Sequence, residues 1–203
     1  MILRILLALT LLAGAVQAQS VTGKAFGTYA NVAGTVSQSP VATLPSSGGM
    51  ATGEADAFSV AGLSSAQYLN AVTTGAVDLK KTGAQSVSEV ENVSAAGGAI
   101  TADIVTAVAT SYFTESGGGR GADGTGFTNL VVNGVAVATE VAPNTRVSLP
   151  GVGYAVLNEQ ISSGNGSSSW GMTVNMIHIV LLNMLGQKTG DVIIGSASSS
   201  VAR

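Results

Sequence analysis

Short runs rich in Val, Ile and Thr recur along the whole chain, each closed within a few residues by Gly, Ser, Asn or Pro, and no other feature constrains the fold as tightly. Branched side chains are stiff at χ1 and fit a pleated surface, whereas Gly, Asn and Pro supply the backbone angles of turns. The pattern predicts strands at residues 22–36, 55–61, 67–79, 86–94, 99–113, 127–132, 135–141, 146–149, 153–159, 171–182 and 191–201. Many short strands with turn signals between them make an all-β chain, for which we expect an antiparallel β-sandwich, jelly-roll-like, with a β-solenoid as the alternative. The sharpest local signal is Asn133-Gly134 between two valine-rich runs, because Asn-Gly readily takes the positive φ values of a type I′ hairpin turn. Asn144 ahead of a short apolar run, then Leu149-Pro150-Gly151, marks a second strand and turn.

Two stretches are ambiguous. In 99–113, Ile100, Ile104, Val108 and Tyr112 fit helical spacing, yet Ile100, Ala102, Ile104, Thr106, Val108 and Tyr112 fit alternation; the density of β-branched residues favours a strand. Residues 172–182 are apolar on both faces, with Met172, Val174, Met176 and Val180 on one and Ile177, Ile179 and Leu181 on the other. Such a strand belongs in the middle of something, covered on both sides within its own fold or on its outer side by a neighbouring molecule.

The chain opens like an export leader: Arg4, an apolar run from Ile5 to Val16, then small residues at Val16-Gln17-Ala18. The run is too short for a membrane span, which takes about 20 residues. Residues 1–18 are therefore expected to be a signal peptide and 19–203 one secreted β-domain, starting at Gln19 and free of the membrane after cleavage. A domain of that size can bury about 70% of its unfolded surface. Cysteine is absent, which excludes disulfides, thiolate metal sites and thiol nucleophiles, so stability must rest on packing and ladder hydrogen bonds. Charged residues make up 9% of the chain and the net charge is −3, with no basic stripe to hold nucleic acid. Few charges also mean weak repulsion between copies and few lysines to block sheet edges.

Little points to catalysis. His178, the only histidine, lies in the apolar run without a Gly-x-Ser-x-Gly turn, and a triad would need Asp103, Asp123 or Asp191 and an unidentified serine. Glu54 with Asp56, and Glu89 with Glu91, share strand faces at i, i+2, but one Trp and 4% aromatic residues offer no platform for a sugar. No catalytic residue, metal or cofactor is expected. Residues 114–126 are expected to form a flexible loop, in which Gly118 to Gly124 imitates one calcium-binding nonapeptide repeat without the tandem copies such a roll requires. Ser46 to Gly49 and residues 162–169 are read as further flexible connections.

The segments TADIVTAVATS at 101–111, FTNLVVNGVAV at 127–137, APNTRVSLPGVGYAVLNEQ at 142–160, MTVNMIHIVLL at 172–182 and GDVIIGSASSSV at 190–201 together resemble the bacterial choice-of-anchor P family. The likeness covers residues 98–201 and is loose before them. It implies an extracellular or cell-surface bacterial domain in which Asn158, Glu159, Asn175 and His178 are structural positions. Members of that family carry varied C-terminal sorting signals. Here Ser198 to Arg203 contains no LPxTG-like motif, sorting helix or lipobox cysteine, so a secreted, untethered domain is expected.

An untethered secreted domain must be released, captured or joined to copies of itself. The low charge and the doubly apolar strand favour the last: a structural protein that builds an extracellular fibre, sheath or matrix as a homopolymer, by β-strand addition. The expected donor is the stretch 20–36, with Val21, Ala25 and Tyr29 on one face and Phe26, Ala30 and Val32 on the other. Extracellular polysaccharide is the second expected partner. The alternative is a monomeric module that binds a glycan or receptor through loops 114–126 and 161–170, using Asp123, Asn165 and Trp170.

Overall fold

The computed structural model describes residues 19–203 except Ala61, Leu79, Ala138 and Thr139; the expected signal peptide, 1–18, lies outside the described residues. Strands β1 (Ser20–Val32), β2 (Thr35–Leu44), β11 (Thr145–Leu149), β12 (Gly153–Ser163), β13 (Ser169–Leu182) and β14 (Lys188–Ala202) form sheet A, in the order β11-β12-β13-β14-β1-β2. Strands β3 (Gly48–Val60), β4 (Ser64–Ala76), β5 (Lys81–Ala95), β6 (Ile100–Thr114), β9 (Val131–Val132) and β10 (Val135–Ala136) form sheet B, in the order β10-β9-β6-β5-β4-β3. Two short strands, β7 (Gly117–Gly121) and β8 (Gly126–Thr128), also pair with β6. The pairings are antiparallel, and the two sheets pack face to face as the expected β-sandwich rather than a solenoid. Most neighbours are consecutive hairpin partners; in sheet A the last strand, β14, returns to pair with β1.

The strands are longer than the turn signals implied, β1 having 13 residues and β6 15. One core can cover such lengths because each strand changes face partway along. In sheet A, Asn158, Met176, Gly195 and Gly27 lie opposite one another on β12, β13, β14 and β1, and Asn158 (φ 49°) and Gly195 (φ 66°) are left-handed. A left-handed residue within a strand breaks the alternation and rotates the residues beyond it, as a β-bulge does. Accordingly Ala25 and Thr28, or Ile194 and Ala197, are three apart yet all buried. Sheet B has its own line, with Tyr68 and Asn92 both at φ 50°: Ala66 and Leu69, Val90 and Val93, and Ala102 and Val105 all point inward.

This line explains both ambiguous stretches. Of the residues assigned to two faces of 172–182, Met172, Val174 and Met176 point into the core before the break and Ile177, Ile179 and Leu181 point into the same core after it, which leaves Val180 on the outer face, 6% exposed. No neighbouring molecule is needed to cover them. Residues 99–113 form β6, a strand; of the residues that fit helical spacing, Ile100 lies in the core, whereas Ile104, Val108 and Tyr112, beyond the face change, stand on the side opposite the buried Val105, Ala107 and Ala109.

Alanine, serine and threonine make up much of the interface between the sheets, so the two backbones approach closely. The Ser111 and Ser199 hydroxyls bond each other at 2.8 Å across it, and the Ser88 hydroxyl donates to the Phe26 carbonyl at 2.9 Å. At one end Val21, Leu44, Ala84, Phe113, Trp170 and Val201 form a separate cluster. The expected loop 114–126 is corrected here: Gly117–Gly121 is strand β7, and its glycines are packing residues. A Cβ on Gly118 would stand 2.5 Å from the Trp170 ring, and one on Gly119 2.7 Å from the Tyr112 hydroxyl.

The break predicts an asymmetry between glycines. Gly195→Ala must hold a left-handed alanine and place its Cβ 2.9 Å from Val105, so a loss of about 2–4 kcal/mol is expected from backbone strain plus overpacking. Gly134→Ala, at φ 77° with open space around it, should lose only about 1–2 kcal/mol. Urea midpoints measure both; equal losses would show that the Gly195 site carries no packing constraint.

Candidate functional site

The face change turns side chains that should oppose each other onto one surface. Phe26 and Tyr29, assigned by alternation to opposite faces of β1, both stand on the outer face of sheet A because Gly27 lies between them on the line. Their ring centroids are 6.2 Å apart and tilted by 54°. Lys24 lies 5.5 Å from the Phe26 ring and donates to Gln38 Oε1 at 3.3 Å. With His178, Lys188, Asp191 and Ile193 these residues line a groove of ≈ 390 Å³.

One wall of the groove is a polar chain that ties β12, β13 and β14 together. Glu159 Oε2 accepts from Asn175 Nδ2 at 2.7 Å and bonds His178 Nδ1 at 2.9 Å; His178 Nε2 bonds Asp191 Oδ1 at 3.1 Å. Ser196 donates to Asn175 Oδ1 at 2.7 Å, and Lys188 pairs with Asp191 Oδ2 at 2.7 Å. Register explains the assembly: Glu159 pairs Asn175 and Asn175 pairs Ser196 directly across the strands, beside the break. Asn158, left-handed on the line, donates to the Val141 carbonyl at 2.7 Å and so fixes the segment that leads into β11. The four residues singled out by the family resemblance thus occupy one neighbourhood.

A histidine between two carboxylates is best satisfied as the imidazolium, with both N–H groups donating. The bond to Glu159 raises its pKa above the ordinary 6.5 against the opposing effect of burial, and Asp191 adds to the rise. The same bond lowers Glu159 below its ordinary 4.5, again against burial, with Asn175 contributing. With both nitrogens engaged, His178 has no lone pair to take a proton from a serine, and the Ser-His-Asp relay is not assembled here.

The other expected site residues fall elsewhere. Val21 and Ala25 are wholly buried in their own chain, and Val32 packs against the main core, because β1 lies between β14 and β2 in the slot that a donor from another subunit would fill. Its link to β2 is a two-residue turn with Ala33 and Gly34 both at positive φ. Trp170, expected as a ligand anchor, is 6% exposed and closes the end cluster. Asn165 is committed to its own turn, its Oδ1 accepting from the backbone N–H groups of Ser167, Ser168 and Ser169 at 2.8–3.0 Å. Asp123 is exposed in the turn before β8, and no cluster of metal-ligating side chains forms among the described residues. Compared with known proteins, the chain matches no family model, no curated protein and no solved structure.

The polar chain makes stability depend on pH in a defined window. His178 holds its proton more tightly when folded, so its contribution is full below 6.5 and fades as pH rises through the raised folded value. Glu159 behaves oppositely, contributing fully above 4.5 and losing its effect as pH falls through the lowered value. The two overlap between 4.5 and 6.5, where urea midpoints should be highest. Lys24, Arg146, Lys188 and Asp191 are the other charged groups on this face. His178→Gln should flatten the profile; an unchanged profile would show that the chain does not couple to folding.

Proposed function

We propose that this chain is a secreted bacterial structural protein that assembles with copies of itself into an extracellular fibre, sheath or matrix, as a relative of the choice-of-anchor P domains it resembles. The observation that carries the reading is β3, 13 residues long, which ends sheet B and, among the described residues, pairs with no strand but β4. A row of unpaired backbone groups is a template for strand addition. The first half of β3, Gly48 to Gly53, has no charge, lysine or proline to blunt it, and Met50 is well exposed. The edges on the far side of the sandwich are short, two residues in β10 and five in β11.

The acceptor in this reading is β3, and β1 need not leave its own sheet. Negative-stain images and light scattering of residues 19–203 should show multimers that disperse when Met50→Lys and Thr52→Lys are introduced together. Thr22 and Ser200 face each other across β1 and β14 with hydroxyls 2.7 Å apart, so Thr22→Cys with Ser200→Cys would lock β1 in place. Multimers should survive the lock. Their loss would return the donor role to β1, and a monodisperse wild type would sink the assembly reading.

The outer face of sheet A favours a second reading, a module that binds extracellular polysaccharide. Two aromatic rings beside a lysine and a glutamine can stack on a sugar and bond its hydroxyls. The site would be this groove and not loops 114–126 and 161–170. Tyr29→Ala and Lys24→Ala should each weaken retention on immobilised polysaccharide severalfold, while the emission of buried Trp170 stays unchanged; retention equal to wild type in both variants would remove the reading.

A further inference from the structure

Charge is divided unequally between the two sheets. The strands of sheet B carry Glu54, Asp56, Glu89, Glu91 and Asp103, none of them buried, against Lys81 and Arg120 at one end. The strands of sheet A carry Lys24, Arg146 and Lys188, with His178, against only Glu159 and Asp191. Those two carboxylates are already occupied, Glu159 by Asn175 and His178 and Asp191 by His178 and Lys188. In a chain with 11 acidic residues and 8 basic ones, the outer face of sheet A is therefore the surface left with cations to spare.

The spare cations are Lys24 and Arg146, and neither forms an ion pair among the described residues. Each is placed instead against an aromatic ring, Lys24 Nζ 5.5 Å from the centre of Phe26 and Arg146 Cζ 3.7 Å from that of Tyr154. A ring steadies a cationic side chain without neutralising it and leaves N–H groups to donate to an anion outside. Register sets the two cations along one track. Gln38, Tyr29, Ile193, His178, Val156 and Arg146 pair in succession across all six strands of sheet A, from β2 to β11. Arg146 thus stands four strands from the groove at Lys24, Phe26 and Tyr29 on β1, about 19 Å at about 4.8 Å per strand.

We propose that the outer face of sheet A binds an acidic polysaccharide, one whose sugars carry carboxylates, laid across the strands from Lys24 on β1 to Arg146 on β11. The inference rests on the polysaccharide reading of this groove and adds to it the charge of the ligand and a second contact, at Arg146. Sugar rings stack on the aromatic wall of β1 and a carboxylate meets Lys24. A second carboxylate further along the polymer meets the Arg146 guanidinium, whose planar fork matches it. Two modest contacts on one ligand reinforce each other, because the second forms within a chain already bound. The carboxylates of sheet B do little to repel the ligand: the sheets of a sandwich lie about 10 Å apart, beyond a Debye length of about 8 Å at physiological salt. A polyphosphate would meet the cations but leave the two rings of β1 without a partner.

Affinity electrophoresis of residues 19–203 tests the inference on polygalacturonate, on the same polymer with its carboxylates reduced to alcohols, and on polyphosphate. Polygalacturonate should retard the protein most, and less so at high salt. Lys24→Gln and Arg146→Gln change exposed side chains, so the fold tolerates both. Each should weaken binding about threefold to tenfold, and the two together by about the product, since they share no partner. Digalacturonate, too short to reach both cations, should remain indifferent to Arg146→Gln when it occupies the groove on β1. Equal retardation by the reduced polymer would overturn the proposal and leave the polysaccharide reading standing, whereas no retardation by either sugar polymer would sink both. Stronger retardation by polyphosphate would give the face to a phosphate polymer and overturn the proposal, as would polygalacturonate binding unchanged by Arg146→Gln.

Discussion

The structure depends on a break in alternation that crosses each sheet. Without Asn158 and Gly195 in left-handed conformations, β12 and β14 would turn half of their apolar residues out to solvent, and β13 between them would follow. With the break, strands of 13 to 15 residues bury both halves against one opposing sheet. The glycines on the line are required for a second reason, the closeness of the sheets. A Cβ on Gly27 would fall 2.6 Å from Leu69, and one on Gly195 2.9 Å from Val105. Conformation and close packing thus demand glycine at neighbouring points of a chain that has no cysteine to crosslink it.

The same break arranges the outer face of sheet A. It sets Phe26 and Tyr29 side by side and brings Glu159, Asn175 and Ser196 into one cross-strand row, with His178 reaching Glu159 from the next. In a chain so poor in charge, a chain of charged and polar groups across three strands is costly to desolvate, and its groups are accordingly almost all mutually bonded. Its immediate effect is to fix the register of β12, β13 and β14. The groove beside it has aromatic walls for the same geometric reason.

Much of the fold was legible, and the reasons where it was not are local. Asn133-Gly134 announced its hairpin, and β9 and β10 meet across it as the residue types require. Ala33-Gly34 makes the same kind of turn with alanine at a position that favours Asn, so 22–36 read as one strand running through the turn into the first two residues of β2, and the rest of β2 was not read as a strand. Gly117 to Gly121 read as a loop because glycine-rich composition looks alike whether it supplies flexibility or room for a Trp ring. Trp170 beside a Ser-Gly turn looked like a surface anchor, while its partners Val21, Phe113 and Val201 are far away along the chain. Of the candidate site, Glu159, Asn175 and His178 were visible through the family resemblance, but their joining to Asp191 and Lys188 depends on the registers of β12, β13 and β14.

Residue types alone determined that the chain is all-β, where most turns fall, and that stability must come from packing rather than crosslinks, because these follow from the local preferences of β-branched residues, glycine and asparagine. Only the tertiary structure decided which face each residue occupies. Side-chain direction in a strand has a period of two, so one left-handed residue reverses everything beyond it, and it is only in the folded chain that Asn158 and Tyr68 are seen to adopt that conformation. That one reversal moved Phe26 beside Tyr29 and turned a strand that looked apolar on two sides into one with a common core.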